Sequence, residues 1–303
     1  MGSPRPAAVD AGRYTSDDGL FGPESVTWRV IAHPATGLSA TSAATLQMLY
    51  PPVMYVIDQA SGVRDDPDRR AQRTGEYMTT IVYGDVAAAE AAGAALRRVH
   101  ASRQATDPET GRTVHADEPD LLEWVHNALT WILLRGYATY GESLTAAERD
   151  RFVDEQRVAA RLVGCDPERI PADTATLDAY MQSMEPRLAF TEPALWFREM
   201  VAPGGLPTSP HEVLGRLTTA AAMGLMGPTH RRLYGFRSNA IADRATELAM
   251  RTLIQATTKS TPLEAAIPQL REFVDTHAFG ARRRRIVDVE PAPGDGDRGA
   301  DPG

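Results

Sequence analysis

From Pro119 to Tyr140 the chain reads Pro-Asp-Leu-Leu-Glu-Trp-Val-His-Asn-Ala-Leu-Thr-Trp-Ile-Leu-Leu-Arg-Gly-Tyr-Ala-Thr-Tyr. Proline is tolerated in a first turn, where its missing N–H would have no intrahelical partner, so Pro119 predicts a helix start. Leu121, Leu122, Trp124, Val125, Leu129, Trp131, Ile132, Leu133 and Leu134 then fall on several sides of that helix. A surface helix carries a single apolar stripe, whereas one that is apolar on several sides has to be surrounded. The fold must therefore place other elements around this segment.

The rest of the chain supplies helices for that purpose. Asp85 is a suitable N-cap for Val86 to Ser102, whose alanine-rich composition favours helix. Thr145 with Glu148 forms a capping-box pattern opening a helix that should end near Gly164. Thr174 to Met184, Glu192 to Val201, Pro210 to Met226, Ala240 to Ile254 and Leu263 to Thr276 complete the set. Leu46 to Met54 reads as a core helix stopped by Pro51-Pro52. No alternating pattern persists long enough for a strand, and no solenoid period is present. The expected fold class is all-α, with about ten helices in a single domain over residues 20–286. Residues 1–19 are expected to form a flexible arm and 287–303 a disordered acidic Gly/Pro-rich tail.

The 303 residues allow a sizeable core, and the net charge of −8 argues against a general nucleic-acid binder. The N-terminus has no apolar signal-peptide core and no run is long enough to span a bilayer. A cytoplasmic location without a membrane span is the expectation. Cys165 is the one cysteine, which excludes an intramolecular disulfide. It reads as a small buried hydrophobe, with haem thiolate ligation as the alternative.

Basic residues cluster locally in two segments. Arg97, His100 and Arg103 lie three residues apart in turn, and Arg70, Arg73 and Thr74 repeat the spacing upstream. Helical geometry places each set along one side. One imidazole among fixed guanidinium groups can hold a metal bound to an anionic cofactor. Arg and His in a last turn also complement the helix dipole and cap its carbonyls, which requires no ligand. His126 sits within the apolar helix and must be hydrogen-bonded or metal-bound if buried. Glu123 to His126 has the Glu-x-x-His spacing of di-iron bundles, but no second copy exists. His33, His115, His211 and His230 fall in loops or helix ends and form no zinc pattern. Arg282 to Arg285 reads as a solvated charge cluster, or secondarily as a polyanion-binding arm.

The order of segments is more specific than any one of them. Leu20-Phe21-Gly22-Pro23 to Val30 is followed by Leu46-Gln47-Met48-Leu49-Tyr50-Pro51-Pro52-Val53. Asp66-Pro67, Arg70-x-x-Arg73-Thr74, Tyr83-Gly84 and Arg97-x-x-His100 come next. Ala116-Asp117-Glu118-Pro119-Asp120-Leu121-Leu122-x-Trp124-Val125-His126, Leu144-Thr145-x-x-Glu148, Glu155-x-x-x-Ala159 and Leu177 to Met181 continue the series. Over about residues 20 to 240 this resembles the haem-binding oxygenase family that includes latex clearing protein (rubber oxygenase) and the prenyl-cleaving oxygenase of mycophenolic acid biosynthesis.

The resemblance implies helices enclosing a b-type haem, with His100 as the proximal iron ligand. It places Arg70 and Thr74 close to the haem. Arg73 stands where latex clearing protein has a lysine able to approach the iron. An arginine does not readily lose its proton, so an open or water-bound distal site is expected. Tyr50 and His115 depart from the His and Tyr common in relatives. The glutamate base of rubber cleavage has no secure match, Asp58 being the nearest acid.

The reading is a haem b oxygenase acting with oxygen or peroxide on a small, largely apolar or specialised-metabolite substrate. Arg70, Arg97 and Arg103 are expected at the propionates, Arg73 and Thr74 at the distal side, and His126 near the cofactor. Met48, Met54, Trp124 and Leu129 are expected to wall the substrate pocket. The rivals are a peroxidase-like or hydroxylating haem enzyme, a non-catalytic haem or apolar-ligand carrier, and a metal-free helical binding protein. Oligomeric state is not legible in the sequence.

Overall fold

In a computed structural model describing residues 19–202, 204–237, 239–260, 267–272 and 274, the apolar segment is the central helix. Helices α1 (Val26–Ala32), α2 (Ala35–Gln47), α3 (Pro51–Ala60), α4 (Pro67–Tyr83) and α5 (Val86–Ala101) precede a short hairpin, β1 (Gln104–Thr106) and β2 (Thr113–His115). After it come α6 (Pro119–Tyr140), α7 (Ala146–Val163), α8 (Thr174–Met184), α9 (Leu195–Val201), α10 (Pro210–Leu225), α11 (Pro228–Leu233) and α12 (Ala240–Ser260). The architecture is all-α apart from the hairpin. No helix of the described residues is long and apolar enough to cross a membrane.

Helix α6 packs against α1, α2, α3, α7, α8, α10 and α12. Leu121, Trp124, Ala128 and Ile132 enter one core cluster, and Leu133, Leu134 and Tyr137 enter another. Its contact with α2 is close: a Cβ at Gly136 would lie 2.0 Å from Ser39 Oγ. Helix α1 begins with its first-turn N–H groups satisfied from far away. Glu155 on α7 accepts from Val26 N (3.2 Å), Thr27 N (2.8 Å) and Thr27 Oγ1 (2.8 Å), while the N-cap Ser25 accepts from Trp28 N. The expected capping box is present, Thr145 and Glu148 exchanging hydrogen bonds at the start of α7.

Two expectations need correction. Pro51-Pro52 does not stop a helix but opens α3, with Tyr50 extended as its N-cap. The preceding helix has already ended at Gln47. A residue before proline is pushed out of the α region, and a first turn loses nothing by lacking N–H groups, so the pair suits a start better than an end. The hairpin was also not foreseen, because three-residue strands are too short to show a period. Gln59 of α3 holds its edge, with Oε1 accepting from Thr106 N and Nε2 donating to Thr106 O, each at 2.9 Å.

Ile267 and Val274 are buried in the second core cluster, in keeping with the expected C-terminal helix. The expected arm up to residue 18, the tail from 287 and the Arg282 to Arg285 cluster lie outside the described residues.

Candidate active site

Helices α4 and α5 are consecutive and packed on each other. Asp66 starts α4 by accepting from Arg69 N at 3.0 Å, and Asp85 starts α5 by accepting from Ala88 N at 2.6 Å. The buried residues of α4 lie in its second half, Tyr77 and Thr80 to Tyr83, leaving Arg70, Arg73 and Thr74 on the exposed first half. His100 occupies the last turn of α5. Helix α5 also packs on α7, so tightly that a Cβ at Gly93 would lie 2.9 Å from Leu162 O.

The structure brings Arg70 and His100 into electrostatic reach of each other. Burial lowers the His100 pKa, Arg70's positive charge lowers it further, and Asp117 partly opposes both. The imidazole is therefore held neutral. His100 is half-buried, and its Nδ1 is fully buried with no hydrogen-bond partner. Arg70 keeps access to solvent, yet burial lowers its pKa as well.

Thr74 Oγ1 donates to Arg70 O at 3.1 Å, and Arg73 is exposed on the same helix. The hairpin returns the chain to the end of α5. Arg103 N donates to His100 O and Ala116 N donates to Arg103 O, both at 3.0 Å, which returns the chain toward α5 and sets Asp117 near His100.

Arg97 and His126 are placed differently. Arg97 Nη1 donates to Leu162 O at 2.7 Å, capping the end of α7 across the α5–α7 contact. His126 is buried, with its Nε2 unpartnered. Burial pushes its pKa down to about 4, opposed only by a backbone group of Gln156 on α7. Neither Arg70 nor Arg97 nor Arg103 acts on it. Sequence reasoning missed Tyr77 and Asp117. Tyr77 is buried, is raised above the ordinary tyrosine range by burial, and lies near Arg97 and Cys165. Its spacing of seven from Arg70 and three from Thr74 was the available signal; Asp117 had none, since it arrives through the hairpin.

The other candidates have structural partners. Burial pushes the Cys165 thiol up to about 12, and it packs with Leu122, Ala160 and Ile170 as a small buried hydrophobe. Glu123 pairs with Arg169 at 2.9 Å, and no group of three or more His, Cys, Asp or Glu able to hold a metal occurs among the described residues. Asp58 pairs with Arg64 at 2.6 Å. The Tyr50 hydroxyl accepts a short hydrogen bond from Arg187, which also bonds Asp120. Met48 and Met54 are fully buried core residues, packed with Phe197 and Val201. Cavities of about 340 and 330 Å³ lie along the C-terminal half of α6, and neither is lined by His100 or Arg70.

The family model described as "ER-bound oxygenase mpaB/B'/Rubber oxygenase, catalytic domain" matches residues 28–256. No curated protein and no solved structure matches the chain. The match takes in α4, α5, the hairpin and α6, and so contains both Arg70 and His100. With well over half its length inside that model, the chain belongs to the mpaB/rubber oxygenase catalytic-domain family and is an enzyme of the oxygenase kind.

Proposed function

We propose that this enzyme is a haem b-dependent oxygenase, with His100 as the iron ligand, acting on a small and largely apolar substrate. The observation that carries this reading is the neutral, half-buried imidazole of His100, with one ring nitrogen orphaned, facing the desolvated Arg70. Neutral imidazole is the form that ligates a metal, and an orphaned buried nitrogen is costly unless something occupies the site. Arg70 supplies a cation with no ion-pair partner among the described residues, as a haem propionate requires. The residues present thus fit the group.

Bound there, haem iron supplies the activation of oxygen, which is the cofactor's own chemistry. The chain supplies the rest. His100 holds the iron through one nitrogen and Asp117 biases the ring by its charge. Arg70, with Arg103 from the hairpin, neutralises the propionates; Arg97 serves mainly to hold α5 on α7. Arg73 is permanently protonated, so it does not ligate iron and instead donates hydrogen bonds toward the distal side. Thr74 is a second donor, once its hydroxyl turns from the Arg70 carbonyl. His126 stays neutral in the α6–α7 interface and acts on the cofactor through packing. The enzyme is expected to work in the cytoplasm and without nucleic acid.

Absorption spectra of purified wild type, His100→Ala and His126→Ala test this. The wild type and His126→Ala are expected to show a Soret band and His100→Ala to lose it. Loss in His126→Ala alone overturns the ligand assignment, and a wild type with no Soret band even after adding haemin overturns the haem reading. Turnover with hydrogen peroxide but not oxygen would shift the reading to a peroxidase-like enzyme.

A further inference from the structure

Among the described residues, Arg135 like Arg70 has its pKa lowered, with burial the largest cause. It sits near the C-terminal end of α6, about 13 Å along the helix axis from His126 at 1.5 Å per residue, away from the Arg70–His100 pair. Its Nε donates to Leu225 O at 2.8 Å, and its guanidinium carbon lies 4.4 Å from the centroid of the Trp131 ring. These two contacts fix the plane of the fork. The Nη1 and Nη2 groups make no hydrogen bond or ion pair among the described residues. Capping the last carbonyls of α10 uses only Nε and leaves these donors unexplained.

Arg135 lines a recess of about 340 Å³ between α6, α10 and α12, near the low end of ligand pockets, roughly 300–1,000 Å³. The recess's other charged walls are already matched. Arg231 pairs with Asp243 through two bonds of 3.0 Å, and Arg244 pairs with Glu247 at 2.7 Å. Arg135 is the charged wall of this recess that makes no ion pair among the described residues. Asp178, in the neighbouring 330 Å³ cavity that Arg135 also lines, acts on it electrostatically without forming an ion pair, and its carboxylate accepts from Trp131 Nε1 at 2.8 Å.

We propose that the recess between α6, α10 and α12 is a second binding site, for a small organic monocarboxylate held by the two Nη groups of Arg135. A planar guanidinium with parallel open N–H groups matches a carboxylate in a bidentate pair. A single guanidinium without an ion pair of its own matches a monoanion better than a phosphate dianion. Tyr140, Ala221 and Leu225 give the apolar part of such a ligand a surface to lie on.

The test is calorimetric titration of the full-length protein with benzoate, its neutral isostere benzamide, and inorganic phosphate. Benzoate is expected to bind saturably and benzamide not to bind. Arg135→Gln is expected to weaken benzoate roughly tenfold or more, the scale of one charge-assisted bidentate contact. Arg149→Gln, in the adjacent cavity, should change it by no more than about twofold. Ala220→Phe fills the recess while leaving Arg135 in place, and is expected to abolish binding; it decides the matter if Arg135→Gln does not fold. The proposal is overturned if wild type does not bind benzoate, if benzamide binds equally, or if Ala220→Phe binds as wild type does. Binding lost in Arg149→Gln but kept in Arg135→Gln puts the site in the wrong cavity. Phosphate binding as tightly as benzoate marks a general anion site and overturns the carboxylate assignment.

Discussion

At the scale of single residues, two histidines illustrate how burial decides chemistry. His100 and His126 are both lowered by burial, but of the two only His100 also faces a cation, Arg70. His126 is sealed in the core with a pKa of about 4 against an ordinary 6.5. Because the folded value is depressed, the unfolded chain binds a proton that the native state refuses between those two values. The stability His126 permits is therefore complete above about pH 6.5 and is lost as pH falls toward 4, at up to about 1.4 kcal/mol per pH unit. His126→Gln removes this dependence. Urea denaturation at pH 7 and pH 5 is expected to show wild type losing more stability than the variant over that interval. His33 and His100 shift in the same direction, so the difference between the two proteins isolates His126. An unchanged difference would mean that His126 protonates freely in the native state.

Residue spacing placed Arg97, His100 and Arg103 on one side of a helix, but α5 ends at Ala101 and leaves Arg103 beyond it, and spacing could not say what each side meets. Arg97 reaches Leu162, 65 positions along the chain, and becomes a helix cap rather than a free cation. That partner was invisible because nothing in the local sequence marks it. The neighbourhood of Arg70 and His100 follows from α4 packing against α5, a tertiary fact that the ordered motifs implied only through family likeness.

At the scale of elements, the helices were legible because their ends carry physical signals. Asp85, Pro119 and the Thr145–Glu148 pair all open helices where expected. The hairpin and the start of α3 were not, the former for want of a period and the latter because Pro-Pro marks both ends of helices. Neither was the closeness of α5 and α7 legible. Gly93 lies at that contact, where a Cβ would meet Leu162 O at 2.9 Å. In an open helix Gly→Ala stabilises by about 1 kcal/mol. Here the added methyl group must push a backbone carbonyl that also accepts from Arg97, at a cost of roughly 1–3 kcal/mol. Gly93→Ala is therefore expected to destabilise, read as a lower urea midpoint with unchanged slope. A higher midpoint would show that the two helices are not in contact at this position.

At the scale of the molecule, the proposed haem site is assembled from α4, α5 and the return of the hairpin, so an unfolded chain holds none of it. Haemin should then bind the native state alone and raise its stability by mass action, about 2.7 kcal/mol at a hundredfold excess over its dissociation constant. For a domain of this size that corresponds to a rise of roughly 5–10 °C in Tm. The rise is expected for wild type and His126→Ala and not for His100→Ala. An equal rise in all three would indicate haem bound elsewhere.

The long reach of Glu155 to α1 also bears on how the chain is made. Ser25 caps Trp28 N locally, but the Val26 and Thr27 N–H groups gain Glu155 only once residue 155 has been synthesised, some 128 positions after Thr27. At about 5–20 residues per second that is an interval of roughly ten seconds. Through it the segment around Trp28 emerges from the ribosome with its partner not yet in existence. The amino end of the domain is thus the first part synthesised and among the last to be locked, and α7 is the element whose arrival completes it.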